Sequence, residues 1–242
     1  MILPKIIKKP LLIIPTYNEA DNVVSLIPLI FSASPNIEIC FVDDNSQDQT
    51  RANIRALMAA YPYKIHLIER ADKLGLGTAY VTAFKWGLAR GYDVLMEMDA
   101  DHSHNPSDVP RMLEALENHD VVICSRYVPG GGTKNWSFIR KLISRFGSFY
   151  GRMVLNVSIR DLTGGFNGWH RYVLEKMNPD SIASEGYTFQ IELKYRAKLD
   201  HFNILEIPII FEERRAGKSK MSSKIVFEAM WRLWDLRKKY GR

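Results

Sequence analysis

Two carboxylates set two residues apart, Asp99 and Asp101 in Met98-Asp-Ala-Asp101, close an apolar run that starts near residue 92. In an extended backbone alternate side chains share a face, so both emerge together where a buried strand meets solvent. Like charges this close raise one pKa or recruit a cation, and hard divalent ions such as Mg²⁺ or Mn²⁺ take carboxylate oxygens together with substrate phosphates. Alone, such a pair is also what a strand end carries for solubility. Three further polar clusters keep it company: Pro15-Thr-Tyr-Asn-Glu19, Asp43-Asp-Asn-Ser46 and Lys73-Leu-Gly-Leu-Gly-Thr78. A base and ribose need carboxylate or amide acceptors and an aromatic neighbour, which Tyr17, Glu19, Asp43 and Asp44 offer. A diphosphate needs a metal, from Asp99 and Asp101, a point charge from Lys73, and backbone that Gly75 and Gly77 let come close. Asp44 and Ser46 would equally begin a helix, and Gly75 would equally make a turn.

These residues have to be positioned by regular elements. Short apolar runs at residues 11–14, 37–42, 64–68, 94–98 and 121–124 read as buried strands, alternating with amphipathic stretches at 20–31, 49–60, 77–89 and 106–116. The last is opened by Asn105-Pro106, with Ser107 and Asp108 in its first turn. This alternation predicts an α/β architecture with a Rossmann-like, mostly parallel sheet, whose ligands bind at the carboxyl ends of the strands. All four polar clusters follow a strand and so share that edge. The opposite connections, Ser34-Pro-Asn36, Tyr61-Pro-Tyr63 and Arg90-Gly-Tyr92, are plain turns. Jointly, the clusters meet the needs of a nucleotide-sugar site. The second half offers a Gly-rich loop at 129–133, a helical stretch at 138–154, Thr163-Gly-Gly165, a helix at 187–198, a strand at 204–211 and an amphipathic segment at 222–240. The expected organisation is one catalytic domain over residues 1–221 and a C-terminal amphipathic helix over 222–242.

At 242 residues and 46% hydrophobic composition the chain can bury a full core. The net charge of +6 is unevenly spread: residues 126–160 hold seven Arg or Lys and no acid, and residues 201–242 hold ten against five acids. That asymmetry predicts an anionic partner, whether phosphate, nucleic acid or an acidic membrane face. Cys40 and Cys124 lie inside apolar runs, which suits buried thiols in a reducing cytoplasm. The basic start with Lys5, Lys8 and Lys9 leads into an apolar stretch that Pro15 stops too soon for a signal peptide. No segment approaches the roughly 18 to 20 apolar residues of a spanning helix. A soluble or peripheral protein is expected.

Pro15-Thr-Tyr-Asn-Glu19, Val42-Asp-Asp-Asn-Ser46, Gly75-Leu-Gly-Thr-Ala79 and Met98-Asp-Ala-Asp101 resemble the signature of family 2 inverting glycosyltransferases with the GT-A fold. Ser125-Arg-Tyr127, Asn135-Trp136, Arg140-Lys-Leu-Ile-Ser144, Asp161-Leu-Thr-Gly-Gly-Phe166, Glu185-Gly-Tyr187 and Gly217-Lys-Ser-Lys-Met221 are similar, in that order, to dolichol- or polyprenol-phosphate mannose synthases. The resemblance runs from Pro15 to Ser222. It implies that Pro15, Tyr17, Glu19 and Asp44 hold the nucleoside, that Lys73 and Gly75 help hold the donor, and that Asp99 and Asp101 bind Mg²⁺ or Mn²⁺ and the diphosphate. Arg214 and Lys220 would lie on the donor phosphates, and Arg126, Arg140 and Ser144 would take the acceptor phosphate. Asp101 and Arg126 are thereby marked as catalytic. The chain departs from some relatives at Ser103, where they carry a Gln as third metal contact; a hydroxyl is a shorter, weaker ligand, and His102 and His104 stand beside it.

The resemblance implies transfer of mannose from GDP-mannose to a polyprenyl phosphate, dolichyl or undecaprenyl, with inversion. A phosphate monoester has its second pKa near ~6, so the attacking oxygen is already largely ionised and no strong general base is needed. A rival reading keeps fold and acceptor and takes UDP-glucose or another nucleotide sugar. A nucleotidyltransferase fits less well, because its Gly-rich loop opens the chain after the first strand. A basic nucleic-acid-binding or membrane-adaptor module has no reason to gather Asp43, Asp44, Asp99 and Asp101 on one edge. The final segment places Val226, Ala229, Met230, Leu233 and Leu236 at helical spacing from Ile225, with Trp231, Trp234 and a basic end, which suits a membrane interface as well as packing on the domain. Phe138, Phe146, Phe149 and Tyr150 in the acid-free stretch form a second such surface. The expected location is the cytoplasmic face of a membrane, with a membrane-anchoring subunit as a possible partner and nucleic acid not a partner.

Overall fold

Every apolar run of the first half forms a strand in the computed structural model, which describes residues 5–182, 184, 186–213 and 223–241. The elements in chain order are β1 (Pro10–Thr16), α1 (Ala20–Ala33), β2 (Glu38–Asp43), α2 (Thr50–Ala60), β3 (Ile65–Glu69), α3 (Leu76–Ala89), β4 (Val94–Glu97), α4 (Asp108–Leu116) and β5 (Val121–Ser125). They continue with β6 (Gly132–Lys134), α5 (Phe138–Leu155), β7 (Asn167–His170), α6 (Arg171–Met177), α7 (Gly186–Leu199), β8 (Ile204–Pro208), β9 (Ile210–Glu212) and α8 (Ser223–Tyr240). Seven strands make one sheet in the order β3-β2-β1-β4-β7-β5-β8. All neighbours run parallel except at β7, which is antiparallel to both β4 and β5. The mostly parallel α/β sheet expected from the alternation is what forms.

Period-two alternation divides the core between the two faces of the sheet. Leu11, Ile13, Cys40, Val42, Leu95, Val121 and Ile123 pack with Tyr80 and Phe84 of α3, Val173 of α6 and Phe189 of α7. Leu12, Ile14, Ile39, Phe41, Met96, Val122 and Cys124 pack with Val23, Leu26 and Ile30 of α1, Ile54 of α2 and Met112 of α4. Both thiols are free and buried. Burial pushes the Cys40 thiol up to about 12. The described part of α8 lies on α5 and α7: Leu233 and Leu236 are buried, Trp234 Nε1 donates to Tyr150 Oη at 3.0 Å, and Tyr240 Oη donates to Glu192 at 2.7 Å.

β6 and α6 form in segments to which the sequence reading gives no regular element, and two further differences concern the main sheet. The single strand at 204–211 is divided between two sheets, β8 in the main one and β9 paired with β6. Pro208 supplies the break, since it has no N–H to continue a ladder, and the next amide, Ile209, donates to Ser125 O at 3.1 Å. The other difference is β7, whose sequence Asn-Gly-Trp-His has no apolar run, yet all four residues are buried. Tertiary hydrogen bonds hold it. Glu97 accepts from Asn167 Nδ2 at 2.8 Å, Trp169 Nε1 at 3.0 Å and Gln190 Nε2 at 2.9 Å. Burial raises the Glu97 carboxyl, and those three donors only partly oppose it.

The turn after β5 is closed by Gly131, where an added Cβ would stand 2.6 Å from Ser125 O and 3.1 Å from Val128 O. Both are backbone atoms with no rotamer to yield. Gly131→Ala is therefore expected to destabilise the fold by about 1–3 kcal/mol, read as a lowered midpoint in thermal unfolding.

Candidate functional site

Because six of the seven sheet strands run parallel, the ends of β1, β2, β3, β4 and β5 deliver Thr16, Asp43, Glu69, Glu97 and Ser125 to one edge, each followed by a polar loop. The reversed β7 starts at that edge, so the loop before it, with Asp161 and Thr163, joins the same cluster.

On the β1–β2 side much of the polarity holds the loops in shape. Asp43, fully buried, accepts from Ser46 N at 3.0 Å and pairs with Arg51 Nε at 2.8 Å. Asp44 accepts from Leu74 N at 3.0 Å and Gly75 N at 2.9 Å and pairs with Arg70 at 2.9 Å. It thereby fastens the Lys73–Gly75 turn to β2, and Gly75 takes a φ of 95°, a left-handed value that glycine adopts without a Cβ penalty. Gly77 faces inward instead, where a Cβ would meet Ser184 O and the Phe189 ring. Lys73 Nζ sits 3.5 Å from the centre of the Tyr17 ring, a cation–π contact joining the two loops. Pro15 is the penultimate residue of β1, and Glu19, accepting from Asn22 at 2.5 Å, stands just before α1.

Past β4 the pair Asp99 and Asp101 turns over the edge. Asp101 Oδ1 accepts from Ser103 N at 3.1 Å, and Asp99 N donates to His104 Nδ1 at 3.2 Å. His104 is buried between the rings of Phe166 and Phe211. His102 reaches Ser25 Oγ of α1 at 2.8 Å. The Ser103 hydroxyl is buried with no hydrogen-bond partner, an oxygen left available beside two carboxylates. Among the described residues no three His, Cys, Asp or Glu side chains cluster as a metal cage, so two carboxylates and one hydroxyl are the local donors. They fit a hard ion that keeps substrate oxygens in its shell. Tyr80, unforeseen from sequence, lies below them. Its hydroxyl is buried and unpartnered, and burial followed by the charges of Asp99, Glu97 and Asp101 pushes it well above its ordinary pKa. Its helical spacing in α3 reads as ordinary core, so no sequence signal separates it.

The next strand end gathers cations and rings. Arg126 donates to Asp161 through Nε and Nη2, both at 2.7 Å, and to Thr163 Oγ1 at 2.9 Å. Burial alone would raise the Asp161 carboxyl, but Arg126 more than reverses it and holds it at about 2. Lys194 of α7, fully buried, donates to the carbonyls of Asp161 at 2.9 Å and Gly164 at 2.7 Å; burial pushes its ammonium down to about 8 against the pull of Asp161 and Glu97. Arg126 and Arg140 both approach Trp136, their guanidinium carbons 5.6 and 4.1 Å from an indole ring centre. Ser144 shares a 2.6 Å hydrogen bond with Tyr127 Oη, whose ring lies 5.2 Å from Arg126. The three residues expected on the acceptor phosphate are thus brought together around Tyr127 and Trp136. Trp136 Nε1 and Arg140 Nε are buried donors without partners, and Arg140 also pairs with Glu213 at 2.6 Å. Trp136, Tyr127 and Asp161 enter the sequence reading only as motif letters; a role for them needs the packing. Arg214 and Lys220 lie outside the described residues, as do Glu185 and the Gly217–Met221 motif.

Along α5 the exposed residues are apolar apart from Arg145. Phe138 is 79% and Met153 63% exposed, with Ile139, Leu142 and Phe146 between them, and Trp231 of α8 is 75% exposed. A stripe of this extent is unusual for a face meant only for water. No helix among the described residues is long and apolar enough to cross a membrane. The expected apolar positions Ile225, Val226, Ala229 and Met230 fall outside the described side chains.

The profile of glycosyl transferase family 2 matches residues 11–177. A polyprenol monophosphomannose synthase of Mycolicibacterium smegmatis is 43% identical over 238 residues, covering 97% of this chain and 90% of that protein. An undecaprenyl-phosphate mannosyltransferase of Micrococcus luteus is 44% identical over 220 residues, 91% of this chain and 90% of that one. Among solved structures, a glucosyl-3-phosphoglycerate synthase of Mycobacterium tuberculosis, crystallised with Mn²⁺, uridine diphosphate and phosphoglyceric acid, superposes with a TM-score of 0.67 at 19% identity, over 97% of this chain and 79% of that one.

Proposed function

The chain belongs to glycosyl transferase family 2, has the GT-A fold and is a glycosyltransferase, and from that premise we propose that it transfers mannose from GDP-mannose to a polyprenyl phosphate with inversion. The observation that carries this reading is the pairing, on one sheet edge, of a carboxylate pair with a cationic cluster that holds unpartnered donors around Trp136. Mannosyl transfer to polyprenyl phosphates in the names of two relatives above 40% identity supports the choice of sugar and acceptor.

In this reading Pro15, Tyr17, Glu19 and Asp44 border the nucleoside, and Lys73 moves from the Tyr17 ring towards the diphosphate. Asp99 and Asp101, with the Ser103 hydroxyl, would hold Mg²⁺ or Mn²⁺, which when bound neutralises charge on the departing diphosphate. The acceptor phosphate lies against Arg126, Arg140 and Ser144, where charge-assisted guanidinium contacts fix its orientation. Its ionised oxygen needs no proton removed, so catalysis by these residues is positioning and charge neutralisation. Attack from the side opposite the leaving group gives a β-linked product from an α-linked donor. Asp161 acts through Arg126, holding the guanidinium in place. Arg214 and Lys220 are proposed for the donor phosphates. Residues 1–221 form the catalytic unit, and the exposed α5 stripe with Trp231 of α8 rests on the cytoplasmic face of a membrane, where an anchoring subunit would add affinity.

The test is transfer of radiolabelled hexose into lipid extract from GDP-mannose, and in parallel UDP-glucose, with a polyprenyl phosphate and with or without Mn²⁺ or Mg²⁺. Metal-dependent product from GDP-mannose is expected; product from UDP-glucose alone would overturn the donor. Trp136→Phe, which deletes one buried donor and keeps an aromatic ring, is expected to raise the KM for polyprenyl phosphate by about tenfold or more, the worth of one hydrogen bond to a charged group, with kcat little changed. An unchanged KM would remove Trp136 from the acceptor site.

A further inference from the structure

Next to Arg126, on the side of Tyr127 facing the C-terminal half of α5, lies a cavity of about 490 Å³. Arg126, Arg145, Arg152 and Arg160 line it with Tyr127, Ser148 and Phe149, and no acidic side chain is among its lining residues. Ser148 is 2% exposed and its hydroxyl has no hydrogen-bond partner. A buried hydroxyl without a partner costs free energy that a bound acceptor would recover. Arg126 is paired with Asp161, but the guanidinium groups of Arg145, Arg152 and Arg160 meet no acid in the wall, and together they call for an anion with several oxygens.

We infer that this cavity binds the phosphodiester headgroup of an anionic membrane phospholipid, as a site separate from the one that takes the acceptor phosphate. The inference rests on the reading that the chain works at a membrane. Separation follows from the helix: at about 1.5 Å rise per residue, Arg152 is two turns beyond Ser144 and three beyond Arg140, too far for one phosphate to engage both ends. The tail has a place to lie. Phe149 lines the cavity and is also half exposed, continuing the apolar stripe through Phe146 and Met153. A headgroup seated on Arg145, Arg152 and Ser148 would therefore leave its acyl chains along the face that meets the bilayer, and would fix how α5 lies relative to the acceptor cluster.

The experiment is calorimetric titration of the full chain with short-chain phosphatidylglycerol below its micelle concentration, with short-chain phosphatidylcholine as control, alongside mannosyl transfer to polyprenyl phosphate in detergent. Saturable binding of the glycerol lipid alone is expected. Arg145→Gln with Arg152→Gln should weaken it by about tenfold or more, and Ser148→Leu, which fills the cavity without changing charge, should do the same. The charge-matched pair Lys238→Gln with Lys239→Gln, on the last turn of α8, should change it by less than about twofold, as expected of screened surface charges. The acceptor KM of the Arg145/Arg152 pair should likewise stay near that of the parent. A rise in acceptor KM as large as the loss of phosphatidylglycerol binding would overturn the inference and give the cavity to the acceptor's own phosphate. Equal losses in the two charge pairs, or no saturable binding, would also overturn it. Phosphatidylglycerol binding intact in a chain that transfers no mannose would sink the functional reading and leave the headgroup site standing.

Discussion

Asp101→Asn is expected to lower hexose transfer by about two to three orders of magnitude, the usual loss when one charge-stabilising group is removed from a preorganised site. The substitution keeps the side chain's shape and an oxygen able to accept from Ser103 N, the 3.1 Å bond of the parent, so the turn should survive. What disappears is one of the two carboxylate charges. The rate should therefore fall together with the apparent affinity for Mn²⁺, while the thermal midpoint stays near the parent's. Ser103→Ala is expected to be milder, since it removes a neutral oxygen and no charge. Steady-state rates over a metal titration separate these outcomes, and an Asp101→Asn enzyme within about twofold of the parent would take the metal away from this carboxylate pair.

Asp161→Asn should be the most destabilising of the site variants. It leaves the buried Arg126 guanidinium without its counter-charge, for which about 3–5 kcal/mol is the usual cost, or roughly 10 °C in thermal midpoint for a chain of this size. A pH signature accompanies it. The folded carboxyl, held at about 2, lies below its ordinary value of 3.8, so its contribution is complete above that ordinary value and is lost as pH falls through about 2. Its size is about 2 kcal/mol. The parent's stability should accordingly fall between pH 4 and 2, and the variant's curve should lack that component. Glu97 titrates in the opposite sense, because its folded carboxyl is raised, and so does not imitate this limb. Denaturant unfolding at a series of acid pH values decides it; parallel curves for the two proteins would mean that folding does not lower the Asp161 carboxyl.

The donor half of the edge was legible because it is built locally. Each of its clusters follows an apolar run, and strand period plus loop polarity places Tyr17, Asp44, Gly75 and Asp99 without knowledge of any long-range contact. The cationic half was not legible in the same way. Arg126 could be nominated from its motif, but its 2.7 Å bonds to Asp161 join residues 35 apart, and the indole between Arg126 and Arg140 acquires meaning only from packing. The antiparallel strand escaped the sequence because Asn167, Trp169 and their partner Gln190 are stabilised by one buried carboxylate, Glu97, whereas propensity registers apolar runs. Pro208 was visible, yet its consequence, a segment shared between two sheets, depends on where Ser125 ends.

In sheet order β4 and β5 are never neighbours, and β7 lies between them. No native ladder therefore links the strand bearing the carboxylate pair to the strand bearing Arg126 until residues 167–170 have been synthesised. The first four parallel strands, complete by Glu97, can pair among themselves long before that. Emerging from a ribosome, the chain would present a nucleotide half that is already ordered while its lipid-phosphate half waits for a four-residue strand to arrive, and long-range pairings of this sort are the slow ones.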